Sequence, residues 1–274
     1  ETGGYVTYLT PYFGQVYVKK GDTSVARGRG ILYATPRYYE MFKTNDMRRD
    51  WTISPYFWKN VTTTSFDKEM YKAEFRFRWP GKFRREYEIN LPVYAWGNST
   101  NLPLLRYSDV LLMFAEADNY VNHGSTTESL EAINKVKRRG FGLNPNVAAP
   151  SIDETTMDEV TFLKYIKDER ARELGFESHR KLDLLRWGIF FSTMEEVENE
   201  IAAIPEKIND PNNPGTQINN PAIYQPGTGF PSGPTGPTII ARTYRNVADK
   251  HALMPIPELE MSSNKEIQSN NKGW

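Results

Sequence analysis

Cysteine is absent from all 274 residues of this chain, which excludes disulfide staples, thiolate zinc sites and a cysteine nucleophile within it. Histidine is nearly absent: His123, His179 and His251 are too few and too scattered to suggest a histidine metal cluster. Charge of one sign is missing too, because 34 Lys and Arg face 34 Asp and Glu and the formal net charge is zero. Such a balanced chain does not advertise a polyanion partner, so nucleic acid is not the expected ligand. Long apolar runs are lacking. The most apolar, Val110 to Ala117, contains Glu116, is flanked by Asp109 and Asp118, and falls far short of the ~20 residues a membrane helix needs. Glu1-Thr2-Gly3-Gly4 has neither the basic nor the apolar region of a signal peptide, so no compartment is readable from a targeting signal.

What the chain does have is aromatic side chains, 13% of its residues, and 19 Gly with 18 Pro, which suggests long ordered loops. The first hundred residues are irregular and aromatic. Residues 5–18 alternate loosely enough for short strands, Thr35-Pro36 opens a short helix, and Trp51-Thr52-Ile53 reads as a strand. The clearest β signal is Tyr71 to Trp79, where Tyr71, Ala73, Phe75, Phe77 and Trp79 alternate with charged residues. Pro80-Gly81 suits a type II turn, and Tyr87, Ile89, Leu91 and Val93 alternate after it, so a hairpin pairing Arg76 and Arg78 with Glu86 and Glu88 is expected.

From Leu104 the chain turns helical. Arg106 to Val121 is apolar nearly all round and should be buried. Ser125-x-x-Glu128 reads as a capping box for a helix with Leu130, Ile133 and Val136 on one stripe, closed by cations and Gly140. Thr156-x-x-Glu159 reads as a second capping box, followed by a helix through Phe162, Ile166 and Leu174. Further helices are expected over 180–187, 190–201 and near Glu258 to Met261. The first two helices form an αα-hairpin, the unit of tetratricopeptide-like repeats, although no strict 34-residue self-similarity is visible. Residues 205–238 hold eight of the prolines and read as a long, aperiodic loop. The fold class expected is mainly α, with tetratricopeptide-like helix pairs, a loop-rich irregular face and a small β-hairpin. A loop-rich aromatic segment (1–103) and a helical region (104–274) are expected to form one continuous domain.

Glu169, Glu173 and Glu177 fall on one helix stripe, where like charges repel unless cations intervene. Paired carboxylates can hydrolyse glycosides. The structural reading is preferred: a charge network of Glu169, Arg170, Arg172, Glu173, Glu177, Arg180, Asp183 and Arg186. No metal or cofactor is called for, and Asp210 to Asn213 lacks the EF-hand spacing for calcium. Gly227 to Gly233 is not a phosphate loop, since no strand precedes it and no helix follows. Candidate ligand contacts are the loop aromatics Trp51, Tyr56, Trp58, Trp79, Tyr94 and Trp96 with Asn98. Flat rings cover the apolar face of a sugar while amides bond its hydroxyls. The alternative is that these rings only pack the loops.

Four segments, in order, resemble the SusD/RagB family, the surface nutrient-binding lipoproteins of Bacteroidetes. Leu105 to Ala117 (LRYSDVLLMFAEA) resembles the family's RYAEVLLMYAEA helix. Ser129 to Arg139 (SLEAINKVKRR) resembles its EALxxINxVRxRA helix. Glu169 to Trp187 resembles ERxxELxFEGxRxxDLxRW, with Ser178-His179 where Gly plus another residue is common. Leu253-Met254-Pro255-Ile256-Pro257 and Ile267 to Trp274 resemble LxPIPxxE…QNPGY. Pro36 to Arg49 resembles the middle region, where a DxR element recurs. The resemblance implies non-enzymatic capture of nutrients, glycans before peptides, at the outer-membrane cell surface. It implies delivery to a SusC-like TonB-dependent transporter, and membrane attachment through a lipid anchor absent from this chain. It implies that the chain is the C-terminal half to two-thirds of such a protein. The matched motifs are scaffold, so the resemblance transfers no ligand contact. A glycan-active hydrolase and a protein-binding helical scaffold are the competing readings.

Overall fold

In a computed structural model of the chain, residues 17–20, 24–27, 32–60, 66–87, 103–222 and 247–274 are described. Tyr94, Trp96 and Asn98, and the strand expected after Tyr87, lie outside them. The elements in order are β1 (Tyr17–Lys20), β2 (Ser24–Arg27), α1 (Pro36–Glu40), α2 (Arg48–Thr52), β3 (Tyr56–Asn60), β4 (Phe66–Met70), α3 (Tyr107–Asn122), α4 (Thr127–Gly140), α5 (Glu159–Leu174), α6 (Arg180–Arg186), α7 (Phe190–Ala202), β5 (Lys207–Asn209), β6 (Gln217–Asn219) and α8 (Glu258–Ser263). Each consecutive strand pair is a two-stranded antiparallel hairpin. The fold is thus mainly helical. The chain divides into two compact units, Glu1–Arg180 with Pro221–Phe230, and Lys181–Asn220 with Pro231–Trp274.

In the first unit, α3, α4 and α5 pack around Leu112, Ala115, Ile133, Val136, Phe162, Ile166 and Leu174, all buried. Their spacing is helical on each element, so one stripe of each faces the common core. The caps sit one or two residues from the expected positions. Thr126, not Ser125, caps α4: its Oγ1 accepts from Ser129 N at 3.2 Å, while Ser129 Oγ accepts from Thr126 N at 2.8 Å. Asp158, not Thr156, caps α5, its Oδ1 accepting from Val160 N and Thr161 N at 3.0 Å each. Runs of short polar residues offer several caps, and tertiary bonds choose among them. Ser125 Oγ is engaged with Met157, accepting from its N at 2.8 Å.

The expected burial of α3 all round is not observed. Ser108, Asp109, Leu112, Ala115 and Asn119 are buried, whereas Tyr107, Val110, Met113, Phe114, Tyr120 and Val121 are exposed. Apolar residues all round a helix supply two faces, and α4 and α5 occupy one.

The Tyr71–Trp79 strand does not form either. Tyr71, Phe75, Phe77 and Trp79 are inside as the alternation expects, but Ala73 is exposed, Arg78 is buried and the backbone is irregular. Its polar groups go to separate segments: Ala34 N donates to Arg78 O at 2.8 Å, Ser54 N to Trp79 O at 2.9 Å and Arg76 N to Ala222 O at 3.0 Å. Among the described residues no single partner strand runs alongside, so there is no ladder over 71–79. Arg78 is buried and its Nε donates to Phe75 O at 2.9 Å instead of reaching Glu86. Trp51 and Thr52 close the helical turn α2 and are not strand; only Ile53 pairs, in an isolated bridge with Pro80.

The second unit contains α7, the β5–β6 hairpin and α8. That hairpin corrects the reading of 205–238 as aperiodic loop over the described part, 205–222; at its tip Asp210 Oδ1 accepts from Asn212 N at 2.9 Å. Within α6, Asp183 Oδ1 accepts from Arg186 Nε at 2.9 Å.

The turn after α5 is tight. Phe176 and Ser178 have φ of 61° and 67°, the left-handed region that disfavours side chains. Phe176 is held by an edge-to-face contact with Tyr38, centroids 5.7 Å apart. Ser178 is exposed and stands where the family pattern has glycine. Ser178→Gly should therefore stabilise the protein by roughly 0.5–1 kcal/mol, relief of the left-handed conformation exceeding the added entropy of the unfolded chain. An unchanged or lower urea midpoint would contradict this account of the turn.

Candidate functional site

The site is built on a column of three buried carboxylates. Glu169 and Glu173 lie on successive turns of α5, and the tight turn after it carries Glu177 back to the same side. Most of the cations that face them come from other elements. Arg48, on α2, donates to Glu169 Oε1 at 2.6 Å and to Glu173 Oε2 at 3.2 Å. Asp46 orients it, its Oδ1 accepting from Arg48 N and Nε at 3.1 and 2.9 Å. Arg106, the N-cap of α3, donates to Glu177 at 2.7 and 3.0 Å, to the Glu173 carboxylate, and to Glu173 O at 2.7 Å. Arg139, in the last turn of α4, donates to Glu173. Lys82 donates to Glu177 Oε1 at 2.6 Å and to Glu173 O at 2.7 Å. From the column's own helix, Arg172 Nε donates to Glu169 at 2.8 Å. Arg170 turns instead to Asp109 on α3, at 2.8 Å, and Arg180 donates to Lys167 O at 3.0 Å.

Two glycines make this geometry possible. Arg48 passes over Gly140, where an added Cβ would overlap its guanidinium, and the Tyr38 hydroxyl occupies the space a Cβ on Gly175 would need. The Tyr38 hydroxyl donates to Ala171 O at 3.0 Å.

The electrostatics follow from burial and pairing. Burial alone would raise the Glu173 pKa, but the guanidiniums of Arg106, Arg139 and Arg48 override it and hold the carboxyl at about 2. Glu169 is also held below its ordinary value, burial being outweighed by Arg48 and Arg172. Lys82 is pulled down by burial, only partly offset by Glu177.

Above this network opens a cavity of about 600 Å³. Its floor is charged: Lys82, Arg106, Arg139, Glu173 and Glu177. Its apolar wall includes Met47, Trp51 and Tyr87. Trp51 and Tyr87 stack at 5.6 Å with 27° between planes, and remain 52% and 57% exposed. The Arg84 guanidinium sits 5.3 Å from the Trp51 ring centroid.

Of the candidate ligand contacts, Trp51 alone among the described ones lines this cavity. Trp79 is buried, in contact with Tyr33, Phe57 and Tyr71 in the aromatic core. Tyr56 is buried, with its hydroxyl donating to Glu86 and the Lys68 ammonium 3.5 Å from its ring centroid. Trp58 is half-buried and its Nε1 donates to Glu86 Oε2 at 3.3 Å. Tyr87, Arg84, Lys82, Arg106 and Arg139 were not readable as site residues. Each is ordinary in its local pattern, and only the fold brings them together. The one available signal was the Asp46-x-Arg48 element beside Trp51.

Comparison with known proteins places this geometry in context. The sequence profile of the SusD family matches residues 29–274. The chain is 29% identical over 171 residues to SusD-like protein P25 of Formosa agariphila, covering 62% of this chain and 28% of that protein. A solved SusD homologue from Bacteroides thetaiotaomicron superposes over 100% of the chain with a TM-score of 0.71 at 23% identity. The surface glycan-binding protein A of the same species covers 97% of the chain with a TM-score of 0.53 at 18% identity. The chain spans 50% and 46% of the length of those two structures.

The carboxylate column gives stability a pH signature. Glu173 is about 2 when folded against an ordinary 4.5, so on acidification the unfolded chain takes up the proton first. The stability this carboxylate contributes is complete above its ordinary pKa and is lost as pH falls from about 4.5 to about 2. Glu173→Gln should lower stability at pH 7 by about 3–5 kcal/mol, because it removes one partner of a buried charge cluster. It should also flatten the decline in urea midpoint between pH 5 and 3. A variant with an unaltered midpoint and pH slope would show that the column does not hold the fold.

Proposed function

The chain belongs to the SusD family, and from that premise we propose that it is part of a non-enzymatic nutrient-binding protein of the cell surface that captures glycans. The cavity over the charged column is its binding site. The observation that carries this reading is the half-exposed Trp51–Tyr87 stack on a cavity whose floor offers several hydrogen-bonding groups. Aromatic faces bury the apolar face of a pyranose, while charged and amide groups bond its hydroxyls. A flat platform of this kind suits a sugar ring better than the extended backbone of a peptide. The surface glycan-binding protein A, whose fold this chain shares, bears a name consistent with the same ligand class.

The carboxylates argue against the hydrolase reading. A glycosidase needs one carboxyl whose pKa is raised so that it can donate a proton. Glu169 and Glu173 are shifted the other way and are tied to guanidiniums. They act as scaffold: Glu169 holds Arg48 and Arg172, and Glu173 holds Arg106 and Arg139 at the cavity. Delivery of the captured glycan to a TonB-dependent transporter is part of the proposal, as is attachment to the outer membrane by a lipid anchor carried elsewhere in the protein. Among the described residues no helix is long and apolar enough to cross a membrane.

Affinity electrophoresis of the full-length protein against soluble polysaccharides, laminarin and pectic galactan among them, tests the site. At least one should retard the protein. Trp51→Ala should weaken that retardation about tenfold or more in apparent affinity while leaving the melting temperature nearly unchanged. Retardation untouched by both Trp51→Ala and Tyr87→Ala would remove the cavity as the binding site.

A further inference from the structure

The cavity's charge goes beyond what its own carboxylates need. Two carboxylates line it, Glu173 and Glu177, and both are already bonded to more than one cation. Arg139 is 52% exposed at its side chain and commits its Nη2 to Glu173, which Arg106 and Arg48 also serve. Among the described residues, Arg84 hydrogen-bonds backbone carbonyls and no carboxylate: its Nη2 reaches Asp50 O, and Trp51 O at 3.4 Å. Burial pulls the Arg84 pKa down, and Tyr87 and Asp50 offset it only in part. Arg84 and Arg139 therefore line the same cavity as the aromatic stack, Arg84 half-buried with its guanidinium 5.3 Å from the Trp51 ring and Arg139 exposed. A concave site lined by surplus charge of one sign concentrates ligands of the opposite sign. A guanidinium presents a donor fork that matches an oxyanion such as a carboxylate or a sulfate.

We propose that this site selects glycans that carry anionic groups, with the sugar ring on the Trp51–Tyr87 stack and its carboxylate or sulfate bonded by Arg139 and Arg84. The inference rests on the glycan-binding reading of the same cavity. It names the substrate class within that reading. Neutral sugars retain the stacking contact and lose the ionic one, so both kinds bind and the charged kind binds more tightly.

Two matched pairs of probes, applied to the full-length protein by isothermal titration, test it: polygalacturonate against its carboxyl-reduced form, and a carrageenan against its desulfated form. The first pair reads a uronate and the second a sulfate ester. At least one charged polymer should bind about tenfold or more tightly than its neutral partner, and the advantage should shrink as salt rises from 50 to 500 mM. Arg139→Gln should cut that advantage to about threefold or less, while Arg139→Lys should retain part of it. Because Glu173 keeps Arg48 and Arg106, the melting temperature of Arg139→Gln should stay close to wild type. Should Arg139→Gln prove unstable, Arg84→Gln reads the same loss of preference. If charged and neutral polymers bind equally and Trp51→Ala abolishes both, the anionic preference is wrong and the glycan site stands. If none of the four binds while a neutral polysaccharide such as laminarin does, the anionic preference is wrong and the glycan site stands; if binding ignores Trp51→Ala, the site reading fails and the preference fails with it.

Discussion

The first unit depends on how three buried carboxylates are neutralised. Glu169, Glu173 and Glu177 are each almost completely excluded from water. A lone buried carboxylate carries a large desolvation penalty, and three on one side would add their repulsion. The arrangement survives because guanidiniums and an ammonium converge on it from α2, from the segment after Trp79, and from the ends of α3 and α4. Each of those elements is held where its cation must reach. The family of helix-pair motifs and the aromatic segment are thus locked by charge as well as by the apolar core around Ile133, Phe162 and Ile166. Glycine at 140 and at 175 leaves the room for Arg48 and Tyr38 to make that approach.

The same lock shapes the cavity. Arg106, Arg139 and Lys82 are at the cavity floor because the column needs them there. Glu173 is served by Arg48 and Arg106 as well as by Arg139, and Arg84, on the same cavity, bonds backbone carbonyls and no carboxylate among the described residues. A scaffold interaction therefore leaves behind a site-forming surplus. Beside it, α2 presents Trp51 at the end of its single turn, and the short helical turn at Arg85–Tyr87 presents the ring that stacks on it.

The helical half was legible because its signals are local. Apolar spacing marked α3, α4 and α5, and the order of four motifs pointed to the family that the sequence profile then matched. The aromatic half was not, since its elements depend on distant partners. The alternation from Tyr71 to Trp79 describes burial correctly at most positions, yet its backbone bonds run to Ala34, Ser54 and Ala222, and none of these pairings leaves a trace in the local pattern. The carboxylate stripe was visible; most of its counter-ions were not, because Arg48, Lys82, Arg106 and Arg139 lie on other elements. Trp51 stood out by residue type alone. Tyr87, its stacking partner, looked like one more residue of an alternating strand.

The most direct test of the account is a crystal structure of the full-length protein with a bound oligosaccharide taken from whichever polymer it retains. The account predicts a sugar ring in van der Waals contact with Trp51 or Tyr87, its polar groups bonded by Arg139 or Arg84, over an undisturbed Glu169–Glu173–Glu177 column. A sugar bound elsewhere on the protein, with this cavity holding only solvent, would contradict it.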